Sequence, residues 1–187
     1  MQTRTATAVS CANIAFIKYW GNRDSDLRLP ANSSLSMNLA GLETRTTVAF
    51  DSALPGDEVV IDGVPQSGPA KERVSKHLDH VRRLARLESP ARVGSVNNFP
   101  IGTGIASSAS AFAALTVAAC AAAGLLLSER ELSALARLGS GSAARSVPGG
   151  FVEWIAAERH EDSFAFSIAP PEHWALVDLV AVVSREH

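Results

Sequence analysis

The sequence predicts an α+β fold built in layers, and three observations carry that expectation. β-branched, partly alternating stretches lie in the first third of the chain and again near its end. An amphipathic helix pattern and a long alanine-rich apolar run lie between them. These strand and helix patterns mix without strict alternation, which favours layers of helix against sheet. At 187 residues, 47% hydrophobic and 19% charged, the chain is long enough to close one substantial core, so one domain is expected.

Taken in order, Thr44-Arg45-Thr46-Thr47-Val48-Ala49-Phe50 reads as a strand, and Glu58 to Asp62 reads as a strand running into a turn at Gly63. From Ala70 to Leu87, Val74, Leu78, Val81, Leu84 and Ala85 recur at helical spacing while Lys, Arg, His and Asp fill the other face. The run from Ala111 to Leu127 is broken only by Thr116 and Gly124 and approaches the length of a membrane span. Its alanines are weakly apolar and strongly helix-forming, and no aromatic or basic anchors flank it, so a helix buried against a sheet is expected. Ser128 and Glu131 match a capping box, Leu132, Leu135 and Leu138 continue an apolar face, and Gly139 ends that helix. Phe164 to Ile168 and Leu176 to Val183 read as strands, with a turn at Ala169-Pro170-Pro171-Glu172.

Charge and cysteine usage narrow the class of function. The net charge of −2 supplies no overall field toward nucleic acid or an anionic membrane, which leaves small molecules as the expected partners. Cys11 and Cys120 have neither metal-ligand spacing nor the density of a disulfide framework, and the first residues lack a secretory pattern, so a cytoplasmic location is expected. The five histidines are not in metal or triad spacing, Asp24 and Asp26 read as a solvated turn, and Trp20 and Trp154 read as packing anchors.

Three segments carry candidate chemistry. Pro100-Ile101-Gly102-Thr103-Gly104-Ile105-Ala106-Ser107-Ser108-Ala109-Ser110 is a glycine-rich turn feeding the alanine-rich helix, where free amides, hydroxyls and the helix dipole would converge on an anion such as phosphate. An ordinary loop with a serine N-cap would look similar. No lysine follows the glycines as in a P-loop, so a cation must come from elsewhere. Lys18, in Asn13-Ile14-Ala15-Phe16-Ile17-Lys18-Tyr19-Trp20-Gly21, is one candidate, although a surface lysine snorkelling past aromatics reads the same way. Gly139 to Trp154 offers small residues for close backbone approach, the hydroxyls of Ser140 and Ser142, and the planar fork of Arg145; the alternatives are a binding loop and a flexible linker.

Together, Asn13 to Gly21, Asn98 to Ser110 and Gly139 to Trp154, with Pro30-Ala31-Asn32-Ser33-Ser34-Leu35-Ser36 as a fourth segment, resemble the signatures of the diphosphomevalonate decarboxylases of the GHMP kinase superfamily. The resemblance is collinear through the whole chain. It implies a GHMP kinase N-terminal domain, ribosomal protein S5 domain 2-like, with residues 1–187 forming an ATP- and substrate-binding domain that stops before a ferredoxin-like C-terminal domain. It further implies ATP with Mg2+, a phosphorylated mevalonate as substrate, and a homodimer when the protein is full length. The implied reaction is phosphorylation of the tertiary 3-hydroxyl, then loss of that phosphate with carbon dioxide to leave an isopentenyl product.

Matched position by position, the resemblance puts Gly102, Gly104, Ser107 and Ser108 around the ATP phosphates and Ser95 and Asn97 at the adenine. Lys18 and Tyr19 face substrate, and Ser140, Ser142 and Arg145 grip its phosphate chain and carboxylate end, with Lys18 and Arg145 the candidate catalytic residues. Two departures stand out. The family's catalytic aspartate belongs to the second domain and has no counterpart here. Asn22 replaces the basic residue that usually follows Tyr-Trp-Gly, which removes a cation from the terminal phosphate and favours mevalonate 5-phosphate over the 5-diphosphate. The rival readings are a small-molecule kinase of the same superfamily and a non-catalytic nucleotide-binding module.

Overall fold

The structure, a computed structural model, describes residues 4–99 and 107–179. A seven-stranded sheet is organised around one long strand, β4 (Ser34–Phe50). Along one edge β4 pairs antiparallel with β1 (Arg4–Ile17), from Arg4 opposite Phe50 to Ile17 opposite Leu35. Along its other edge, residues 44–50 pair with β7 (Ala91–Asn97) and residues 34–37 with β8 (Phe151–Trp154), both antiparallel. Beyond β7 lie β5 (Glu58–Ile61), parallel to it, and β6 (Val64–Pro65); beyond β8 lies β9 (Ala165–Ala169). A separate ribbon joins β2 (Asn22–Asp24) to β3 (Leu29–Pro30).

The three helices are α1 (Gly68–Ala85), α2 (Ser107–Ala123) and α3 (Glu129–Gly139). They bury against one face of the sheet, where Ala8, Val48, Phe50, Val59, Ala91 and Val93 meet Leu78, Val81, Leu115, Ala118 and Ala119. Alternate residues on the opposite face, such as Val9, Arg45, Arg92 and Val96, are exposed. This is the layered α+β arrangement the sequence predicts. The alanine run is the central buried helix, whose small side chains let it lie close to the strands, and no helix among the described residues is long and apolar enough to cross a membrane. The capping box forms as expected, with the Ser128 hydroxyl accepting from the Glu131 amide and the Glu131 carboxylate accepting from the Ser128 amide.

Gly139 is the last residue of α3, and packing explains it. A methyl group there would sit 2.1 Å from Cδ1 of Phe112, whose ring is already held edge-on by His77 and covered by the Arg73 guanidinium. Gly139→Ala is therefore expected to lower stability by roughly 1–3 kcal/mol through overpacking. Denaturant unfolding of the variant checks this, and an unchanged midpoint would show that Phe112 can retreat.

Three sequence expectations need correction. Leu176–Leu179 forms no strand: Leu176, Val177 and Asp178 line a cavity with Met37, Asn38 and Leu39 of β4 without joining its ladder, and Val177 and Leu179 are about nine-tenths exposed; the rest of the expected strand lies outside the described residues. Trp154 is a packing anchor at 0% exposure, but Trp20 is 78% exposed. The loop bearing Trp20 is held through its backbone instead, since the Asn32 side chain accepts from the Trp20 amide and donates to the Lys18 carbonyl, both at 3.0 Å. Leu84, read as part of the apolar face of α1, is 55% exposed on the helix's outer side.

Candidate functional site

Beyond the middle of β1 its register with β4 breaks between Cys11 and Asn13, and four residues of β4 including Gly41, at φ +84°, bulge out before pairing resumes. The slip leaves Ala12 and Asn13 both buried, against the alternation of a regular strand. It turns the Asn13 amide toward a 3₁₀ turn, Gly141–Ser146, where it donates to the Ser142 carbonyl at 3.1 Å and to the Ser146 hydroxyl at 2.7 Å. The segment from Gly139 to Trp154 is thus a packed turn followed by β8, and the linker alternative falls away.

Arg145 occupies the middle of this region, only 4% exposed. Its Nε donates to Asn13 Oδ1 at 3.3 Å and its Nη1 to the Ser34 hydroxyl at 2.7 Å. The guanidinium lies 5.9 Å from the Tyr19 ring and 5.7 Å from the Trp154 ring, and those two rings meet edge to face at 4.8 Å. Burial pushes the Arg145 pKa down to about 10, opposed by Tyr19, so it stays charged at neutral pH. No carboxylate among the described residues forms an ion pair with it. A buried cation held by neutral acceptors and flanked by aromatic faces is suited to an incoming anion.

A line of hydroxyls runs away from this cation. Ser142 Oγ lies 3.4 Å from Ser140 Oγ, which lies 3.3 Å from Ser108 Oγ on the first turn of α2. Tyr19 closes over the turn at Gly141, where a methyl group would sit 2.8 Å from the phenol oxygen. Ser107 and Ser108 also line a cavity of about 540 Å³ between β5, β7, α1 and α2. Its walls are largely apolar, with Val59, Ile61, Val74 and Leu115, and its polar rim carries Ser95, Asn97, Asp62 and Arg73. Asp62 accepts from the Asn97 amide at 2.8 Å and its side chain at 3.2 Å, while Asn97 Oδ1 accepts from Thr44 at 2.6 Å, so the Asn97 side chain is fixed.

The structure therefore gathers Ser107, Ser108, Ser140, Ser142, Tyr19 and Arg145 into one continuous region and sets Ser95 and Asn97 on the far rim of its cavity. Lys18 is exposed on the same short loop as Tyr19, and Asn22 is exposed at the start of β2. Gly102 and Gly104 lie outside the described residues. The described residues contain no group of three His, Cys, Asp or Glu side chains able to hold a metal ion.

Residues 10–165 match the family model of the diphosphomevalonate decarboxylase-like N-terminal domain. The chain belongs to that family. It is 43% identical over 199 aligned positions to a diphosphomevalonate decarboxylase of Aspergillus fumigatus, covering 97% of this chain and 49% of the relative. It is 41% identical to the Homo sapiens diphosphomevalonate decarboxylase, over 96% and 49% of the two chains. Among solved structures, mevalonate diphosphate decarboxylase from Staphylococcus aureus superposes with a TM-score of 0.86 at 42% identity, covering 90% of this chain and 50% of that one. The Enterococcus faecalis enzyme gives 0.87 at 42%, over 92% and 54%. A further solved relative, at 43% identity and TM-score 0.86 over 90% and 51% of the chains, is a complex with MVAPP, AMPPCP and magnesium. The chain spans about half the length of the curated relatives it matches.

Sequence reasoning quoted Asn13, Asn32 and Ser34 within matching segments but gave them no task. Asn13 and Ser34 hold the two donor edges of Arg145, and Asn32 clamps the Lys18–Trp20 loop. Their only local signal was a short polar side chain inside or beside an otherwise apolar stretch.

Proposed function

We propose that this chain is the ATP- and substrate-binding half of a decarboxylase acting on a phosphorylated mevalonate. The observation that carries the proposal is Ser108, which lines the nucleotide-sized cavity and stands 3.3 Å from Ser140 at the head of the hydroxyl line leading to Arg145. A γ-phosphoryl group held at the start of α2 would there lie beside a substrate whose anionic groups reach Arg145, Ser140 and Ser142. The hydroxyls and the guanidinium orient the substrate so that its 3-hydroxyl oxygen faces the transferred phosphorus. Once that oxygen is phosphorylated, the C–O bond breaks with its electron pair leaving on phosphate, and the carboxylate's C–C pair becomes the alkene as carbon dioxide departs. Magnesium supplies charge neutralisation on the nucleotide phosphates. Ser107 and Ser108 at the start of α2 are the hydroxyls that would stand nearest such an ion.

The remaining chemistry belongs to the half of the relatives that this chain does not span, so these residues alone are expected to bind nucleotide without releasing carbon dioxide. The test is product analysis of the natural protein that carries this chain, supplied with ATP, magnesium and a phosphorylated mevalonate. Equal release of phosphate and carbon dioxide supports decarboxylation; an accumulating phosphorylated alcohol identifies a kinase and sinks the proposal. Family likeness and the two free thiols support a cytoplasmic homodimer as the working form, which sedimentation and fractionation check.

Asn22 bears on which substrate is used. It brings no charge to the start of β2, and neighbouring Arg23 is paired with Glu158 at 2.9 Å. Mevalonate 5-phosphate is therefore the expected preference over the 5-diphosphate. Asn22→Lys should shift the ratio of specificity constants toward the diphosphate by roughly tenfold or more, since a charge-assisted hydrogen bond contributes about 1.5–3 kcal/mol. Arg23 is exposed enough to leave Glu158 at little cost. A wild-type protein that already prefers diphosphate, with no change in Asn22→Lys, would leave the terminal phosphate to another cation such as Arg23 or Lys71 and overturn this reading.

A further inference from the structure

Arg137, in the last turn of α3, is 0% exposed. Its guanidinium forms no ion pair with any carboxylate among the described residues. It is instead spread over two separate stretches of chain, the turn at Leu27 and residues 160–163. Nε donates to the Leu27 carbonyl at 3.0 Å, Nη1 donates to the Ser163 carbonyl, and Nη2 donates to His160 Nδ1 at 2.7 Å and to the His160 carbonyl at 3.4 Å. Arg28 returns the first of these contacts, its Nε donating to the Leu138 carbonyl at 3.0 Å.

Each stretch that Arg137 holds leads directly to a wall of the substrate end. Leu27 lies in the turn of the β2–β3 ribbon, which follows Tyr19 and Asn22 in the chain. The hydroxyl of Ser163 accepts from Trp154 Nε1 at 3.0 Å, and Trp154 is the ring that meets Tyr19 and flanks Arg145. Helix α3 itself runs straight into Ser140, Ser142 and Arg145. Taking an arginine out of water without a counter-ion is expensive, and a well-packed apolar side chain of similar volume often does as well for stability alone. What an apolar side chain cannot do is tie two distant backbone segments to its own helix by directed hydrogen bonds, which the rigid donor fork of arginine does.

We infer that Arg137 is a positioning residue for the substrate end of the site: it sets the spacing between the Tyr19 loop, Trp154 and the Ser140–Arg145 turn, and so governs affinity for the phosphorylated hydroxy acid without touching it. The inference rests on the function proposed above. The cavity lies on α2, and none of its lining residues is a hydrogen-bond partner of Arg137, so nucleotide affinity is the internal control.

The experiment measures dissociation constants of mevalonate 5-phosphate, mevalonate 5-diphosphate and magnesium ATP for the natural protein that carries this chain, for Arg137→Met and for Ser163→Ala. Arg137→Met is expected to weaken the tighter-bound mevalonate ligand at least tenfold while ATP affinity stays within about twofold, and Ser163→Ala is expected to give the same signature at smaller amplitude. If the unmodified protein binds neither mevalonate ligand, the proposed function fails and this inference with it. If it does bind one and the variants bind it as tightly, or lose ATP affinity in equal measure, only the inference is overturned. Should Arg137→Met fail to fold, Arg137→Lys, which keeps the charge but not the fork that reaches both segments, decides by the same comparison.

Discussion

Arg145→Lys is expected to lower turnover of the phosphorylated mevalonate by roughly 2–4 kcal/mol of transition-state stabilisation, the scale for loss of a preorganised donor. That corresponds to about 30- to 1,000-fold in rate. Nucleotide affinity should stay near normal, because Arg145 lies at the end of the hydroxyl line away from the cavity. An ammonium keeps the charge but not the arrangement. The guanidinium bonds Asn13 Oδ1 through one edge and the Ser34 hydroxyl through another while lying beside the paired Tyr19 and Trp154 rings. A lysine has a point charge on a flexible stem, so it satisfies one of those partners at a time and leaves the other buried and unmatched. Steady-state kinetics of the full-length variant, with ATP binding measured alongside, is the check. Unchanged turnover would show that Arg145 only closes the turn, and a parallel fall in ATP affinity would show that the site does not divide as described.

The parts of this fold legible in the sequence were those whose signal is local. The capping box of α3, the apolar spacing of α1 and the alanine run of α2 each lie within one element, and each is where the pattern put it, to within a few residues. Strands β1 and β7 escaped notice. β1 carries Ala, Ser, Cys and Asn among its β-branched residues, and its alternation is broken by the slip at Asn13, while β7 has Gly94 at its centre. Leu176–Leu179 shows the converse, an apolar run that reads as a strand but joins no ladder of the sheet.

The candidate site divides the same way. Arg145, Ser140 and Ser142 announced themselves because small residues and hydroxyls crowd one stretch. Arg137 did not, since a basic residue in a helix's last turn ordinarily serves the helix dipole from the surface. Only long-range folding brings the Leu27 carbonyl, 110 residues away, over its guanidinium. Asn13 is likewise 132 residues from the arginine it orients. Partners this far apart leave no periodicity for a sequence reading to find.

His77 should make the protein acid-labile well above the range in which carboxylates titrate. The ring is wholly buried between α1 and α2. Its Nε2 lies 2.7 Å from the Thr116 hydroxyl, which donates its own proton to the Phe112 carbonyl at 2.6 Å, so Nε2 must be the donor of the pair. That leaves Nδ1 as the basic nitrogen, buried and without a partner among the described residues, none of which would accept a hydrogen bond from a proton placed there. Burial is the main cause holding the His77 pKa down to about 3, and the nearby His80 and Arg28 add to it. The folded state therefore prefers neutral His77 and the unfolded state takes up the proton. The stabilisation is complete above the unfolded value of about 6.5 and is lost progressively as pH falls toward about 3. At 1.36 kcal/mol per pH unit, the full loss is roughly 4–5 kcal/mol, a large share of the stability of an ordinary domain. His80 and His160, both held below the usual histidine range first by burial, push in the same direction. Denaturant unfolding at pH 7 and pH 4.5 should show His77 removing roughly 2–3 kcal/mol over that interval. His77→Gln retains a donor for Thr116 and carries no titrating nitrogen, so it should lose that much less stability between the two pH values. Equal losses in both proteins would mean that His77 takes up its proton inside the folded core.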